Sequence, residues 1–160
     1  MSVPEPDTQV RNGDTVDVRS GRLLLRTTSG AATFYSGRFT VTQANSRTAV
    51  TLLRLVGGNF ATACGAARKI AAVDKDKPKK AKRKKNSTVV RSLWGDGTGK
   101  FRTQARYSSA TVRGTIWLTV DRCDGSLVRV VRGRVEVQDF TQRKTVFVNG
   151  GGEYLAPAPG

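Results

Sequence analysis

Residues 111–153 are the most constraining part of this chain, because apolar and polar residues alternate there in short runs that glycine interrupts at regular intervals. In residues 134–138 (RVEVQ), the valines would face a core and the charged residues would face water. Glycine supplies the backbone freedom that a tight turn or a β-bulge needs. The pattern therefore predicts short antiparallel strands and an all-β fold.

The same unit recurs along the chain as a glycine followed by alternating apolar positions. Seven glycines begin such units: Gly21, Gly37, Gly58, Gly99, Gly114, Gly133 and Gly152. Units of this size suit hairpins packed as a β-sandwich or roll, or wound as a short β-solenoid, and the pattern leaves both arrangements open. With 160 residues, the chain is the right size for a single domain.

The domain boundaries follow from composition. We expect linkers at residues 1–13 and 155–160, which are rich in proline, around a β domain at 14–154. A basic insert at 74–88 is expected to form a flexible loop within that domain. Residues 61–73 are alanine-rich but contain Gly65 and show no capping signal, so we expect an irregular segment. Residues 95–100 (GDGTGK) are interpreted as a glycine-rich turn.

The positive charge is concentrated in one stretch. The formal net charge is +16, and residues 68–91 hold eleven Lys or Arg against two Asp. Such a cluster could bind a polyanion, either nucleic acid or a teichoic-acid-like polymer, or it could be a solvated loop that binds nothing specific. The candidate polyanion-binding residues are Lys75, Lys77, Lys79, Lys80, Lys82, Arg83, Lys84 and Lys85.

Cys64 and Cys123 are the two cysteines of the chain. They are too far apart in sequence for a local redox or zinc motif, and the chain has no histidine to complete a metal site. We predict a disulfide between them, with two buried free thiols as the alternative. A disulfide would indicate a compartment outside the cytoplasm.

Nothing in the sequence indicates catalysis. Without histidine, a Ser-His-Asp or Cys-His arrangement cannot form. The remaining acids of the C-terminal half are interpreted as surface partners of arginine: Asp121, Asp124, Glu136, Asp139 and Glu153. We therefore expect a protein that is not an enzyme, with no cofactor and no metal.

Trp117 suggests a binding surface. If Ile116, Leu118 and Val120 face the core, Trp117 points outward, and Arg113 and Trp94 could join it in a surface that binds sugar or protein. The alternative is a tryptophan buried between two layers.

Residues 93–154 contain a series of motifs: residues 93–97 (LWGDG), 111–117 (TVRGTIW) and 121–125 (DRCDG), followed by a strand centred on Gly133 and a closing turn at Gly150. Together these motifs resemble the FecR-like domain family. The resemblance is to exported bacterial versions of the domain. It implies an all-β, non-enzymatic domain outside the cytoplasm, and in signalling members such a domain relays an envelope signal toward a sigma factor.

The leading functional hypothesis is a binding or structural module of a bacterial envelope or secreted protein, with an export signal outside this sequence. One alternative is a FecR-type sensory domain, and another is polyanion binding through the lysine-rich loop. The expected partners are an envelope protein or cell-wall polymer, an anionic polymer, or a second copy paired through strand edges. No apolar run is long enough to span a membrane.

Overall fold

The structure, a computed structural model, describes residues 10–43, 50–65 and 86–159. The candidate lysines at 75–85 therefore lie outside the described residues. The described chain forms eleven strands, β1 (Thr15–Asp17), β2 (Arg22–Thr27), β3 (Gly30–Tyr35), β4 (Arg38–Gln43), β5 (Thr51–Leu55), β6 (Val89–Gln104), β7 (Ser108–Arg122), β8 (Gly125–Arg132), β9 (Arg134–Asp139), β10 (Lys144–Asn149) and β11 (Glu153–Pro157).

All eleven strands belong to one open sheet, which the long β6–β7 hairpin divides into two halves. The first half-sheet has the order β2-β3-β6-β7-β8-β11, and the second has the order β1-β4-β5-β6-β7-β9-β10. Neighbouring strands are antiparallel except β5 and β6, which are parallel. The all-β prediction is confirmed, and the sheet is an open roll rather than a solenoid.

A line of glycines marks where the sheet folds over. β6 carries a bulge between Gly97 and Lys100, and opposite it β7 bends at Gly114. The chain bends again at Gly133, between β8 and β9. A Cβ at Gly133 would lie 2.7 Å from the carbonyl oxygen of Gly114. Because both glycines also have positive φ, of 67° and 95°, other residues would strain the bend.

The bend changes which residues face the core. Along β7, Val112 faces inward before Gly114, whereas Thr115 and Trp117 face inward after it. Trp117 is fully buried, while Ile116 is half-buried on the opposite side. The expectation that Trp117 points outward is therefore wrong, because it assumed that Ile116 and Leu118 face the core, whereas Thr115, Trp117 and Thr119 do.

The core lies between the two halves. Phe34 of β3 contacts three other rings, with centroids 5.6 Å from Phe39, 5.3 Å from Phe101 and 5.8 Å from Trp117. The indole nitrogen of Trp117 donates a hydrogen bond of 3.1 Å to the hydroxyl of Thr103. These buried aromatic side chains join strands of both half-sheets, so the roll depends on their packing.

Three expectations about local structure need correction. Residues 95–100 belong to β6 and form no turn. Residues 60–65 are helical, and the side chain of Asn59 accepts a hydrogen bond of 2.9 Å from the backbone NH of Thr62, which is the capping interaction that the sequence analysis missed. β11 continues to Pro157 and pairs with β8, so the domain extends beyond the boundary expected at residue 154.

Gly95 provides a test of the core. A Cβ at this position would lie 2.5 Å from the ring of Trp117, whereas a Cβ at Gly21 would meet nothing within 4 Å. We expect Gly95→Ala to lower the free energy of unfolding by about 1–3 kcal/mol, because the buried indole has no room to move. Urea denaturation of both alanine variants measures the difference. Equal stability of Gly95→Ala and Gly21→Ala would contradict the described packing.

Candidate functional site

The outer surface of the second half-sheet is basic. Strand pairing places Lys100 and Arg102 of β6 beside Arg113 and Thr111 of β7, and Arg54 of β5 lies across the adjacent strand from Gln104. Arg134 begins β9, on the other side of β7. We call the surface formed by Arg54, Lys100, Arg102, Arg113 and Arg134 the basic face. Its cations come from four neighbouring strands, which are spaced about 5 Å apart.

Two of these arginines are held in place by their neighbours. The Nε of Arg102 donates a hydrogen bond of 2.9 Å to the hydroxyl of Thr111. The guanidinium of Arg134 lies 4.4 Å from the ring centroid of Phe147, in a cation–π contact. A shallow cleft of about 680 Å³ runs between Lys100, Arg113, Arg134 and Phe147.

The charge of the basic face is mostly unbalanced. Glu136 lies in the cleft, but none of the five basic side chains forms an ion pair with an acid in the described part of the chain. Positive side chains that lack acidic partners raise the local concentration of anions. The basic face is therefore suited to binding a ligand with several negative charges.

The outer surface of the first half-sheet is aromatic. The rings of Tyr35 and Trp94, on paired positions of β3 and β6, are parallel within 6° with centroids 6.1 Å apart. The guanidinium of Arg22 lies 4.4 Å from the centroid of the Tyr35 ring. Leu118 of β7 continues this row on the far side of Trp94. Both aromatic side chains are half-buried, because each is covered by its neighbours in the row.

The structure separates the three residues that the sequence analysis grouped into a surface. Trp117 is in the core, Trp94 is on the aromatic surface of the first half-sheet, and Arg113 is on the basic face of the second. These side chains do not form one site. Arg113 alone lies in the cleft.

The five acids of the C-terminal half differ in their surroundings. Asp124 pairs with Arg122 and Glu153 pairs with Arg129, as expected. Asp121 also pairs with an arginine, Arg91, but Asp121 and Asp139 are buried, with 0% and 1% of their surface exposed, so the expected surface position is wrong for both. Glu136 is half-buried and forms no ion pair with an arginine in the described part of the chain, so that expectation is wrong for it as well.

Asp121 is the centre of a buried polar network at the end of the β6–β7 hairpin. One carboxylate oxygen accepts a hydrogen bond of 2.7 Å from the Nε of Arg91. The other accepts bonds from the backbone NH of Arg106, at 2.9 Å, and from the hydroxyl of Ser126, at 2.7 Å. Every partner of the carboxylate is a structural group of the fold. Asp121 therefore anchors this end of the hairpin.

The disulfide between Cys64 and Cys123 is formed, as predicted. It joins the helical segment 60–65 to the turn between β7 and β8. Phe60, in the same helical segment, lies between two arginines, with its ring centroid 4.2 Å from the guanidinium of Arg106 and 5.0 Å from that of Arg91. The crosslink and these contacts fix the helical segment against the end of the hairpin.

Sequence reasoning missed four residues of the basic face: Arg54, Lys100, Arg102 and Arg134. Residues 99–104 (GKFRTQ) alternate basic and buried positions, with Phe101 and Thr103 facing the core. That alternation places Lys100 and Arg102 on the same outer surface. Arg113 and Arg134 lie beside Lys100 and Arg102 because β6 pairs with β7 and β7 pairs with β9, and the sequence alone does not show these pairings.

The described residues contain no group of three or more His, Cys, Asp or Glu side chains that could hold a metal ion. No helix in this part of the chain is long and apolar enough to cross a membrane.

Comparisons with known proteins give structural matches only. No protein-family model matches the chain, and no curated protein matches it. Two crystal structures of a "putative anti-sigma factor" from Parabacteroides distasonis match with TM-scores of 0.47 and 0.46 and 11% sequence identity. Each match covers 88% of this chain and 53% of that protein. The FecR-like resemblance and the sensory role that it implies stay predictions.

Removing the disulfide should lower stability markedly. Replacing both Cys64 and Cys123 with serine opens a loop that spans 59 positions. The free energy of unfolding should fall by about 4 kcal/mol, because the unfolded chain regains the entropy that the crosslink removes. Urea denaturation measures this change, and reduction of the unaltered protein is the matched comparison. Two titratable thiols in the native protein would show that the crosslink does not form.

Proposed function

We propose that this chain is a non-enzymatic binding module that works outside the cytoplasm and binds an anionic polymer on its basic face. The observation that carries the proposal is the arrangement of Lys100, Arg113 and Arg134 around one cleft. None of them forms an ion pair among the described residues, and Glu136 is the one acid that lines the cleft. A linear polymer with regularly repeated charges can contact several strands of the face at once. A small anion would contact only one or two of these side chains.

The rigidity of the face supports binding to a polymer. Arg102 is held by Thr111 and Arg134 by Phe147, so these side chains lose less conformational freedom when a ligand binds. Arginine can also donate two parallel hydrogen bonds to a phosphate or carboxylate group. Phe147 is 52% exposed and adds an apolar contact beside the charges. The face therefore combines charge with fixed donors.

The placement of the acidic side chains supports a role without catalysis. Asp121 and Asp139 are buried and hydrogen-bonded to groups of the fold. Asp124 and Glu153 are paired with arginines. Glu136 is the only acid that lines the cleft, and a general acid–base mechanism on two carboxylates needs a second one.

The disulfide supports a location outside the cytoplasm. Structural disulfides persist in oxidising compartments and are rare in the cytosol. Cys64 and Cys123 are the whole cysteine content of the chain, so every thiol is used in this crosslink. An envelope or secreted protein in such a compartment would encounter phosphodiester and uronate polymers of cell surfaces.

The proposal predicts that charges on the basic face contribute more to polymer binding than the same number of charges elsewhere. Removing three cations from the face should weaken binding of oligothymidylate and of poly(glycerol phosphate) by about tenfold or more. A plot of the logarithm of the binding constant against the logarithm of the salt concentration should become shallower by about 2. Each lost phosphate contact contributes about 0.7 to this slope for single-stranded nucleic acid. The substitutions are Lys100→Gln, Arg113→Gln and Arg134→Gln.

A matched variant distinguishes the contribution of the basic face to polymer binding from that of the lysine-rich segment. It removes the same charge outside the described residues, by Lys80→Gln, Lys82→Gln and Lys84→Gln. We expect this variant to lose less affinity than the face variant at the same salt concentration. Equal losses would show that only total charge matters, and a loss confined to the lysine variant would transfer the function to that segment. Either result overturns binding on the basic face.

A further inference from the structure

The roll leaves four strands at the edges of the sheet. In the described part of the chain, β1 pairs only with β4, β2 only with β3, β11 only with β8 and β10 only with β9. An edge strand presents unpaired backbone NH and CO groups, which can pair with a strand of another molecule. Proteins commonly protect such edges with short strands, charges or proline.

Three of the four edges carry such protection. β1 is only three residues long. β2 has arginine at both Arg22 and Arg26, and Arg26 makes further interactions. β11 begins with Glu153, which pairs with Arg129, and ends with Pro157. These features leave β1, β2 and β11 poorly suited to pairing with another strand.

β10 carries less protection than the other three edges. Its six residues, KTVFVN, contain no proline or glycine, and its only charge is Lys144 at the first position. Val, Phe and Thr are residues that favour strands. Phe147 is 52% exposed, although it is large and apolar. The strand therefore combines a backbone edge that no described residue pairs with, strong β-propensity and an exposed aromatic side chain.

We propose that β10 pairs antiparallel with β10 of a second copy of this chain, so that two second half-sheets form one continuous sheet. The pairing is symmetric, because the same strand serves both copies. Its two-fold axis lies perpendicular to the sheet, which keeps the outer surfaces of both copies on one side. The basic faces then form a single surface of twice the length, with the two Phe147 side chains near its centre.

The side-chain alternation restricts the register of this pairing. Thr145, Phe147 and Asn149 lie on the outer surface, while Val146 and Val148 face inward. A register that keeps these surfaces aligned places Phe147 opposite Thr145, Phe147 or Asn149 of the other copy. In each of these registers, Lys144 faces an uncharged residue of the other copy. No like-charged pair opposes the strand contact.

The basic faces themselves do not prevent the association. Arg134 lies on β9, so two β10 strands would separate it from Arg134 of the other copy. Three strand spacings correspond to roughly 14 Å. This distance exceeds the screening length of about 8 Å at physiological ionic strength. Repulsion between the two faces is therefore mostly screened under those conditions.

The proposal is tested by the mass of the full chain in solution at physiological salt. Sedimentation velocity should show a monomer of 17.3 kDa in equilibrium with a dimer. Phe147→Lys should raise the dimer dissociation constant about tenfold or more, because it places charges across the symmetric contact. Leu24→Lys is the matched control, since Leu24 is 49% exposed on the β2 edge, and it should change the constant less than about twofold.

Crosslinking provides a second measurement that does not depend on weakening the dimer. Facing residues of paired strands have Cα atoms about 4.5–5.5 Å apart, which suits a disulfide. Oxidation should link copies of Phe147→Cys, or a mixture of Phe147→Cys with Thr145→Cys or with Asn149→Cys, according to the register. Val131→Cys is the control, because Val131 is also 52% exposed but lies on β8, between two strands.

Several results would overturn the proposal. They are a wild-type chain that stays monomeric at every concentration, equal effects of Phe147→Lys and Leu24→Lys, or crosslinking of Val131→Cys as fast as that of the β10 variants. The polymer-binding proposal is tested on different residues with a different measurement. Either proposal can therefore fail while the other stands.

Discussion

The fold depends on the bend that divides the sheet into two halves. Strands β6 and β7 are 16 and 15 residues long, and straight strands of that length could not enclose a core. Glycines at the bend allow the backbone conformations and close approach that the change of direction requires. The bend brings Phe34, Phe39, Phe101 and Trp117 together from both half-sheets. Without it, these side chains would lie on an exposed face.

The bend also explains why the two outer surfaces differ. Each long strand contributes its N-terminal part to one half-sheet and its C-terminal part to the other. Trp94 and Arg102 are both on the outer side of β6, yet they belong to different surfaces because the bulge lies between them. One strand thereby supplies an aromatic position to the first surface and basic positions to the second. The basic surface and the aromatic surface are therefore kept apart within one domain.

The sequence predicted the strands better than it predicted the surfaces. The spacing of glycines and the alternation of apolar residues were sufficient for the all-β fold and for strands such as β9 and β10. Alternation could not be followed through Gly114, because the bend of β7 there exchanges the inward and outward positions. This is why Trp117 was misplaced. The basic face was missed for a different reason, since Lys100, Arg113 and Arg134 become neighbours only through strand pairing.

The sheet fixes the distances between the cations of the basic face, whereas a charged segment outside a sheet need not hold its charges at fixed distances. Each side chain begins at a fixed position on a strand, and the strand spacing sets the distance between neighbouring charges. The contacts of Arg102 with Thr111 and of Arg134 with Phe147 fix two of the guanidinium groups further. Fixed charges favour a ligand whose own charges repeat at a similar distance, whereas net charge alone attracts any polyanion. Selectivity among anionic polymers would therefore come from the sheet, and the remaining positive charge of the chain would add mainly to the rate of encounter.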